Sequence, residues 1–387
     1  VKQSLSTQEA QRVASTHIGV VGGGQLGLML GEAAQQMGFP GLVVLDPTPQ
    51  SPASAVAEQL VGSLKDPVAL QQLAARVDIL TYEIEHINTE ALSALQKQGH
   101  TLYPAPSLLA IIQNKYRQKE FLSQRGIPVA PFLSIDTPAD LEIAIERWGF
   151  PLVLKAKKDA YDGRGNARIN SRDDIEAAFQ KLGDRELYVE QCLDLEKELG
   201  VMVARNVRGE IATHPVVEMI HARDICHIVL APAPIDPAFQ QEVQEIARRT
   251  IADLEGVGIF GIEFFLDKQG KIWLNEIAPR PHNLGHYTIE ACETSQFEQH
   301  LRAVTDLSLG STAMRYPAAV MINILGERNG PADPRWSKPY DAERVFVHLY
   351  GKRETKIDRK MGHITVVGNN LQDVYEQAKE ARAALSI

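Results

Sequence analysis

Two carboxylates and an amide, Glu263, Glu276 and Asn275, fall at one end of what reads as a β-hairpin, GIFGIEFFLDKQGKIWL running into NEIAPRPHN. These are hard oxygen donors of the kind that hold Mg²⁺ on nucleotide phosphates. Arg280 and His282 follow among prolines that stiffen the loop. Acidic ligands beside a rigid cationic loop suit phosphoryl transfer, where catalysis is mostly positioning and charge neutralisation.

Other segments carry chemistry-bearing types. Gly22, Gly24 and Gly27 match GxGxxG between a strand and a helix, with Asp46 ending the next strand. That pattern fits a dinucleotide, a phosphate or ribose seated at a helix N-terminus, or a tight turn with no ligand. Tyr82, Glu83, Glu85 and His86 lie just past a strand end, where open α/β sheets bind ligands. KKDAYDGRGN (157–166) places glycines around Arg164, as a loop that folds over a polyphosphate would, and Lys155 precedes it. Glu190 and Glu198 flank a candidate hinge. His221 and His227 have no third partner at zinc-ligand spacing, and Pro279 and Pro281 oppose a helix that would align His282 with His286. Lys352, Arg353, Arg359 and Lys360, on an expected hairpin, could clamp a phosphomonoester.

The elements that must position these residues alternate. Strands at HIGVVGGG, GLVVLD and VDILTY, separated by helices, predict a parallel sheet. A helix at NKYRQKEFLSQRG leads to strands at FPLVLKAK and ELYVEQCL, then to LGVMVARN, EIATHPVVEMI, a helix from 239 and the hairpin. Residues 288–305 read as one helix; short strands and a final helix follow from about 312. The expected domains are a loose polar extension (1–16), a Rossmann-like parallel-sheet domain (17–112), a two-lobed domain (113–185 and 186–310) and a β-rich C-terminal lobe (311–387).

Composition excludes several classes. A chain of 387 residues with 44% hydrophobic and 23% charged residues fits a multidomain globular enzyme. A net charge of −9 without a basic block argues against nucleic acid or an anionic membrane as main partner. Cys192, Cys226 and Cys292 form no pairing framework, which points to a reducing compartment such as the cytoplasm. Residues 18–31 are apolar, yet the triple glycine and the Glu9 and Arg12 upstream argue for a loop rather than a secretory signal.

In order, Lys115, Lys155, the 161–165 loop, Glu190, Glu198, Glu263 and Asn275–Glu276 resemble the ATP-grasp superfamily, an α/β and α+β fold holding ATP between two lobes. GGGQLG, YEIEH, YDGRGN, NEIAPRPHNLGHYTIEAC, TSQFEQH and YGKRE…RKMGH are similar to the N5-carboxyaminoimidazole ribonucleotide synthetases of purine biosynthesis, from about residue 17 to 370. Met219, where relatives more often carry Asn, and the missing glycine before Tyr161 depart from the pattern. The resemblance implies an ATP-grasp ligase that phosphorylates bicarbonate to carboxyphosphate and transfers the carboxyl group to 5-aminoimidazole ribonucleotide, as a cytoplasmic homodimer. It implies Mg²⁺ on Glu263 and Glu276. It implies ATP contacts from Lys115, Lys155, Tyr161, Asp162, Gly163, Arg164, Gly165, Glu190, Gln191, Leu193, Glu198, His221, Asn275 and Glu276. Arg280, Asp162 and Lys155 are the implied catalytic residues. Gln25, Leu26, Glu83, His86, Tyr161, Asp162, Arg280, Asn283, Lys352, Arg359 and Lys360 are the implied substrate contacts. Formate-dependent glycinamide ribonucleotide transformylase, biotin carboxylase, a dehydrogenase using the glycine motif and a nucleotide sensor stand as rivals.

Overall fold

Short apolar runs build a parallel sheet in the order Glu58–Val61, Leu42–Asp46, Ile18–Val21, Ile79–Tyr82, Thr101–Leu102. The order reverses direction at Ile18–Val21, so the crevice beyond Val21 and Tyr82 is the switch point where such sheets receive ligands. The computed structural model describes residues 6–158, 165–223, 225–337 and 343–387. No described helix is long and apolar enough to cross a membrane.

A four-stranded antiparallel sheet follows, ordered Phe132–Ile135, Leu187–Gln191, Leu152–Ala156, Asn166–Ile169. In Leu152–Ala156 the residues Leu152, Leu154 and Ala156 face the core, which turns Lys155 to the other side. The helix Lys115–Gln124 starts at an Asn114 cap and buries Gln118, Lys119 and Leu122 on one stripe.

The largest sheet contains nine described strands. Its main path runs Ile272–Ala278, Gly258–Asp267, Leu195–Arg205, Val217–Ala222, Ile225–Ala231, Ala318–Leu325, Lys360–Gly368, Val345–Leu349. Strands of the expected C-terminal lobe therefore extend the preceding domain's sheet, and Ala318–Leu325 pairs directly with Ile225–Ala231. No gap in the ladder marks the expected boundary at 310/311. Apolar alternation within single strands announces a strand but not its neighbour.

Two expectations need correction. The N-terminal segment is not loose throughout: Thr7–Ser15 is a helix with a Ser6–Glu9 capping box. Glu9 accepts from Ser308 N at 2.9 Å and Arg12 pairs with Asp306 at 2.9 Å, anchoring the helix to the loop after residue 304. Residues 288–305 form two helices, Thr288–Ala291 and Gln296–Val304. Cys292 leaves the first to bridge Met314, and Ser295 caps the second.

Candidate functional site

The hairpin explains how two acids come to share a face. Along Gly258–Asp267, Phe260, Ile262, Phe264 and Leu266 pack into the core with Val243, Ala247 and Ile251 of the helix behind, leaving Glu263 on the cleft side. On the partner strand Ile272 and Leu274 also face the core, so strict alternation would send Glu276 inward. The register shifts instead: Phe264 pairs with Leu274 and Glu263 with Glu276, leaving Asn275 as an extra residue. This β-bulge re-aims Glu276 into the cleft directly opposite Glu263. Asn275 Nδ2 lies 3.5 Å from Glu263 Oε2.

Burial and the neighbouring Glu276 push the Glu263 carboxyl up to about 7. Burial also opposes ionisation of Glu276, but Lys115, at 2.7 Å, outweighs it and holds that carboxyl low. Among the described residues no group of three or more His, Cys, Asp or Glu side chains could hold a metal. Two facing carboxylates with an adjacent amide nevertheless fit Mg²⁺, which takes one or two protein carboxylates and completes its shell with phosphate and water.

Across the cleft, Glu190 sits diagonally from Lys155 on the paired strand, at 2.9 Å. Lys119, one helical turn beyond Lys115, reaches the other Glu190 oxygen at 3.1 Å. Burial opposes the Glu190 charge, yet Lys119 and Lys155 hold its carboxyl down to about 2. Lys119 was missed in the sequence, although its i+4 spacing from Lys115 was the available signal. Gln191 and Leu193 lie at the exit of this strand, where Gln191 N donates to Pro131 O at 2.9 Å. Glu198 and His221 meet at 3.1 Å, and Glu198 raises the imidazole's pKa against the effect of burial. Tyr161, Asp162, Gly163 and Arg164 lie outside the described residues; Gly165 O accepts from Ala156 N at 2.9 Å.

Arg280 projects from the proline loop, and its Nη2 lies 2.9 Å from Glu85 Oε1 of the first domain. Glu85 was legible as a loop acid but not as this partner. His282 rests against Gly261, where a Cβ would fall 2.6 Å from its own Cβ, so the strand must carry glycine there. His282 Nε2 is 3.9 Å from Glu263, and burial, then Arg280, drives the imidazole well below its usual pKa. His282 is a further site residue absent from the expected contacts.

The glycine motif holds an internal group. Glu83 Oε1 accepts from Gly24 N at 2.7 Å and Oε2 from Gly27 N at 3.2 Å. A Cβ on Gly22, whose φ is +104°, would strike Glu83 Cγ at 2.6 Å. The helix N-terminus that could seat a phosphate thus meets the chain's own carboxylate, which weighs against a dinucleotide. Burial pushes Glu83 up to about 7, while Gly24, Arg280 and Gly27 pull the other way. Gln25 starts this helix; the Leu26 side chain is buried in the core, leaving only its backbone for a ligand. His86 follows Glu85, partly buried.

Lys352 closes the circuit from the C-terminal strands. Its Nζ donates to Lys360 O at 2.6 Å, and Glu83 is an electrostatic neighbour. Burial and repulsion from Arg359 lower its pKa to about 8. Lys360 acts electrostatically on His221 and His282, which places it beside the same cleft. Arg359 is exposed and donates to Glu354 O, and Arg353 reaches Gln50 of the first domain. Asn283 is buried, its amide engaged in two hydrogen bonds with Asn323 at 2.9 and 2.6 Å. That pairing makes Asn283 a tie between the loop and the sheet.

Residues 15–113 match the ribonucleotide synthetase preATP-grasp domain, residues 120–297 the ATP-grasp domain, and residues 319–377 the phosphoribosylaminoimidazole carboxylase C-terminal domain. The N5-carboxyaminoimidazole ribonucleotide synthase of Synechococcus elongatus is 41% identical, covering 96% of this chain and 94% of that protein. The chain belongs to the N5-carboxyaminoimidazole ribonucleotide synthetase family of ATP-grasp enzymes. The crystal structure of the Thermotoga maritima synthetase superposes with a TM-score of 0.87 at 46% identity, covering 96% of this chain and 99% of that one. The synthase of Aspergillus clavatus in complex with ADP and 5-aminoimidazole ribonucleotide gives 0.87 at 37%, covering 96% and 99%. Curated fungal and plant members are longer, and the chain spans about two thirds of their length (68% for Ogataea methanolica, 65% for Vigna aconitifolia).

Proposed function

We propose that the protein uses ATP to carboxylate 5-aminoimidazole ribonucleotide with bicarbonate, giving N5-carboxyaminoimidazole ribonucleotide, ADP and phosphate in purine biosynthesis. The facing pair Glu263–Glu276, beside Lys115 and within the field of Arg280, is the observation that carries the reading. Bicarbonate is a poor electrophile, and transfer of the γ-phosphoryl group creates a leaving group on its carbon. Lys115 and Lys155 offset negative charge on the phosphates, a role for preorganised cations at a developing anion. When bound at Glu263 and Glu276, Mg²⁺ would supply Lewis-acid polarisation of the phosphoryl oxygens. Arg280 and the neutral His282 receive the small anion, and Glu83, Lys352 and Lys360 bound the pocket for the ribotide and its phosphate. Glu190, Glu198 and the hinge at Leu193 receive adenosine.

Phosphate release tests the choice against the formate-dependent rival. It is expected to require bicarbonate together with 5-aminoimidazole ribonucleotide. Stimulation by formate with glycinamide ribonucleotide alone rejects the proposal.

The reading extends to a cytoplasmic homodimer. Free Cys192, Cys226 and Cys292 support a reducing compartment. Phe346, Val347 and Leu349, exposed on the last strand in the large sheet's order, support pairing at that edge. Sedimentation of the chain as a dimer, shifted toward monomer by Phe346→Lys, is expected; a wild-type monomer removes this part.

A further inference from the structure

Arg280 stands between two prolines, Pro279 and Pro281, which have no N–H to give. Neither proline can donate a backbone hydrogen bond, although Pro281 O accepts from Arg280 Nη1 at 3.0 Å. Upstream it is anchored by the strand Ile272–Ala278; downstream, the first backbone N–H is that of His282, whose O also accepts from Gly285 N at 3.0 Å. One buried side chain takes both of that residue's backbone groups. Gln296, fully buried at the start of Gln296–Val304, accepts from His282 N through Oε1 at 2.8 Å and donates from Nε2 to His282 O at 2.8 Å. A primary amide here does what a neighbouring strand would do.

The remaining capacity of Gln296 is used in the same place. Its Nε2 also lies 3.0 Å from His286 Nδ1, so two donors and one acceptor are all engaged. Rotating the amide by half a turn would set N–H against N–H and oxygen against oxygen, so a single orientation is specified. His286 then carries its proton on Nε2, and its ring stacks on Phe297 at 5.9 Å and on His363 at 4.8 Å. Gln296 N donates to Thr288 Oγ1 at 2.9 Å, and Thr288 Oγ1 donates to Gly285 O at 2.6 Å, closing the far end of the loop. Only Pro281, with its fixed φ, separates the clamped His282 from Arg280.

We propose that Gln296 is a positioning residue for carbonate activation: it holds the loop from 279 to 286 so that Arg280 and His282 meet the small anion, without itself touching substrate. This rests on the function proposed above for the Arg280 site. Bicarbonate recognition, rather than nucleotide binding, is the property Gln296 controls, because Lys115, Lys155 and Glu190 belong to other elements.

The test is steady-state kinetics of Gln296→Met and Gln296→Glu with bicarbonate varied, alongside ADP binding and thermal melting. Methionine keeps the length without the hydrogen bonds; glutamate turns an acceptor on His282 O and His286 Nδ1. Displacing a catalytic group by about 1 Å costs about 100-fold in rate. The expected result is a kcat lowered by about that factor and a bicarbonate KM raised about tenfold, with ADP affinity within about twofold. Thr288→Val, a milder change in the same network, is expected to raise the bicarbonate KM several-fold and keeps the test available if the Gln296 variants do not fold. Variants that only melt earlier, with unchanged bicarbonate KM and unchanged kcat per folded molecule, overturn the inference alone. Wild-type protein without bicarbonate-dependent turnover overturns the parent function and the inference together.

Discussion

Glu190, on one wall of the nucleotide cleft, meets two ammonium groups, whereas Glu263, on the other, meets a second carboxylate. Glu190 is buried and Glu263 partly buried. Lys119 and Lys155 lie within 3.1 Å of Glu190 and hold its carboxyl down to about 2. Glu276 and burial push Glu263 up to about 7. The first arrangement sets two ammonium groups against one carboxylate and is rich in positive charge. The second is short of positive charge, since Lys115 pairs with Glu276 and meets Glu263 only as an electrostatic neighbour, beside the neutral His282 and the paired His221. The wall with two facing carboxylates suits a cation; the wall with two ammonium groups on one carboxylate suits an anion such as phosphate.

That contrast can be broken most forcefully at Glu276. Glu276→Gln removes one of the facing acids and the partner of Lys115, and phosphate release is expected to fall by about 100- to 1000-fold. Unchanged turnover would show that the pair does not serve the triphosphate. Next, Lys119→Met leaves Glu190 with one cation, and breaking a buried ion pair costs about 3–5 kcal/mol. Chemical denaturation should show a loss at the lower end of that range, because Lys155 remains. Glu263→Gln sharpens the comparison by the opposite sign. It relieves repulsion, so the ligand-free protein is expected to melt no lower than wild type while losing metal-nucleotide affinity.

The pH dependence of stability follows the same division. Glu190 has a folded pKa below its unfolded value of 4.5, so its contribution is present above 4.5 and is lost as pH falls toward 2. Burial lowers His286 and His300 to about 3. At these two imidazoles the unfolded chain binds more protons than the folded one below about 6.5, so their contribution falls from that pH toward 3, while the raised Glu83 and Glu263 carboxyls contribute with the opposite sign below about 7. Melting temperatures should decline from pH 6.5 to pH 4, and a flat profile there would contradict the neutral state of these imidazoles. The smallest effect belongs to an exposed carboxylate: Glu142 is bidentate to Arg172 at 2.7 Å on the surface, and Glu142→Gln should leave melting unchanged within error.

Elements with strong local pattern were readable before any coordinates. Ile18–Val21, Leu42–Asp46 and Ile79–Tyr82 are apolar runs with glycine or acidic punctuation, and the hairpin could be read from Glu263 to Glu276. What escaped depends on contacts distant in sequence. Glu85 lies 195 positions from Arg280, and neither signals the other. Lys119 looks like any helix cation until Glu190 arrives from another element. The bulge at Asn275 shows only in the pairing of two strands, although it decides which way Glu276 faces. Gln296 reads as one polar position inside the helix expected over 288–305, and its role exists only once the proline loop lies over it. The glycine motif advertised a phosphate seat, but Glu83 from a separate strand end takes the place.

Manganese binding followed by electron paramagnetic resonance in the presence of ADP tests the account most directly. Wild type and Lys119→Met, compared per folded molecule, should both hold the nucleotide-bound ion, whereas Glu263→Gln and Glu276→Gln should leave it free in solution. Wild-type affinity for the ion in both glutamine variants would contradict the claim that the facing acids are its seat.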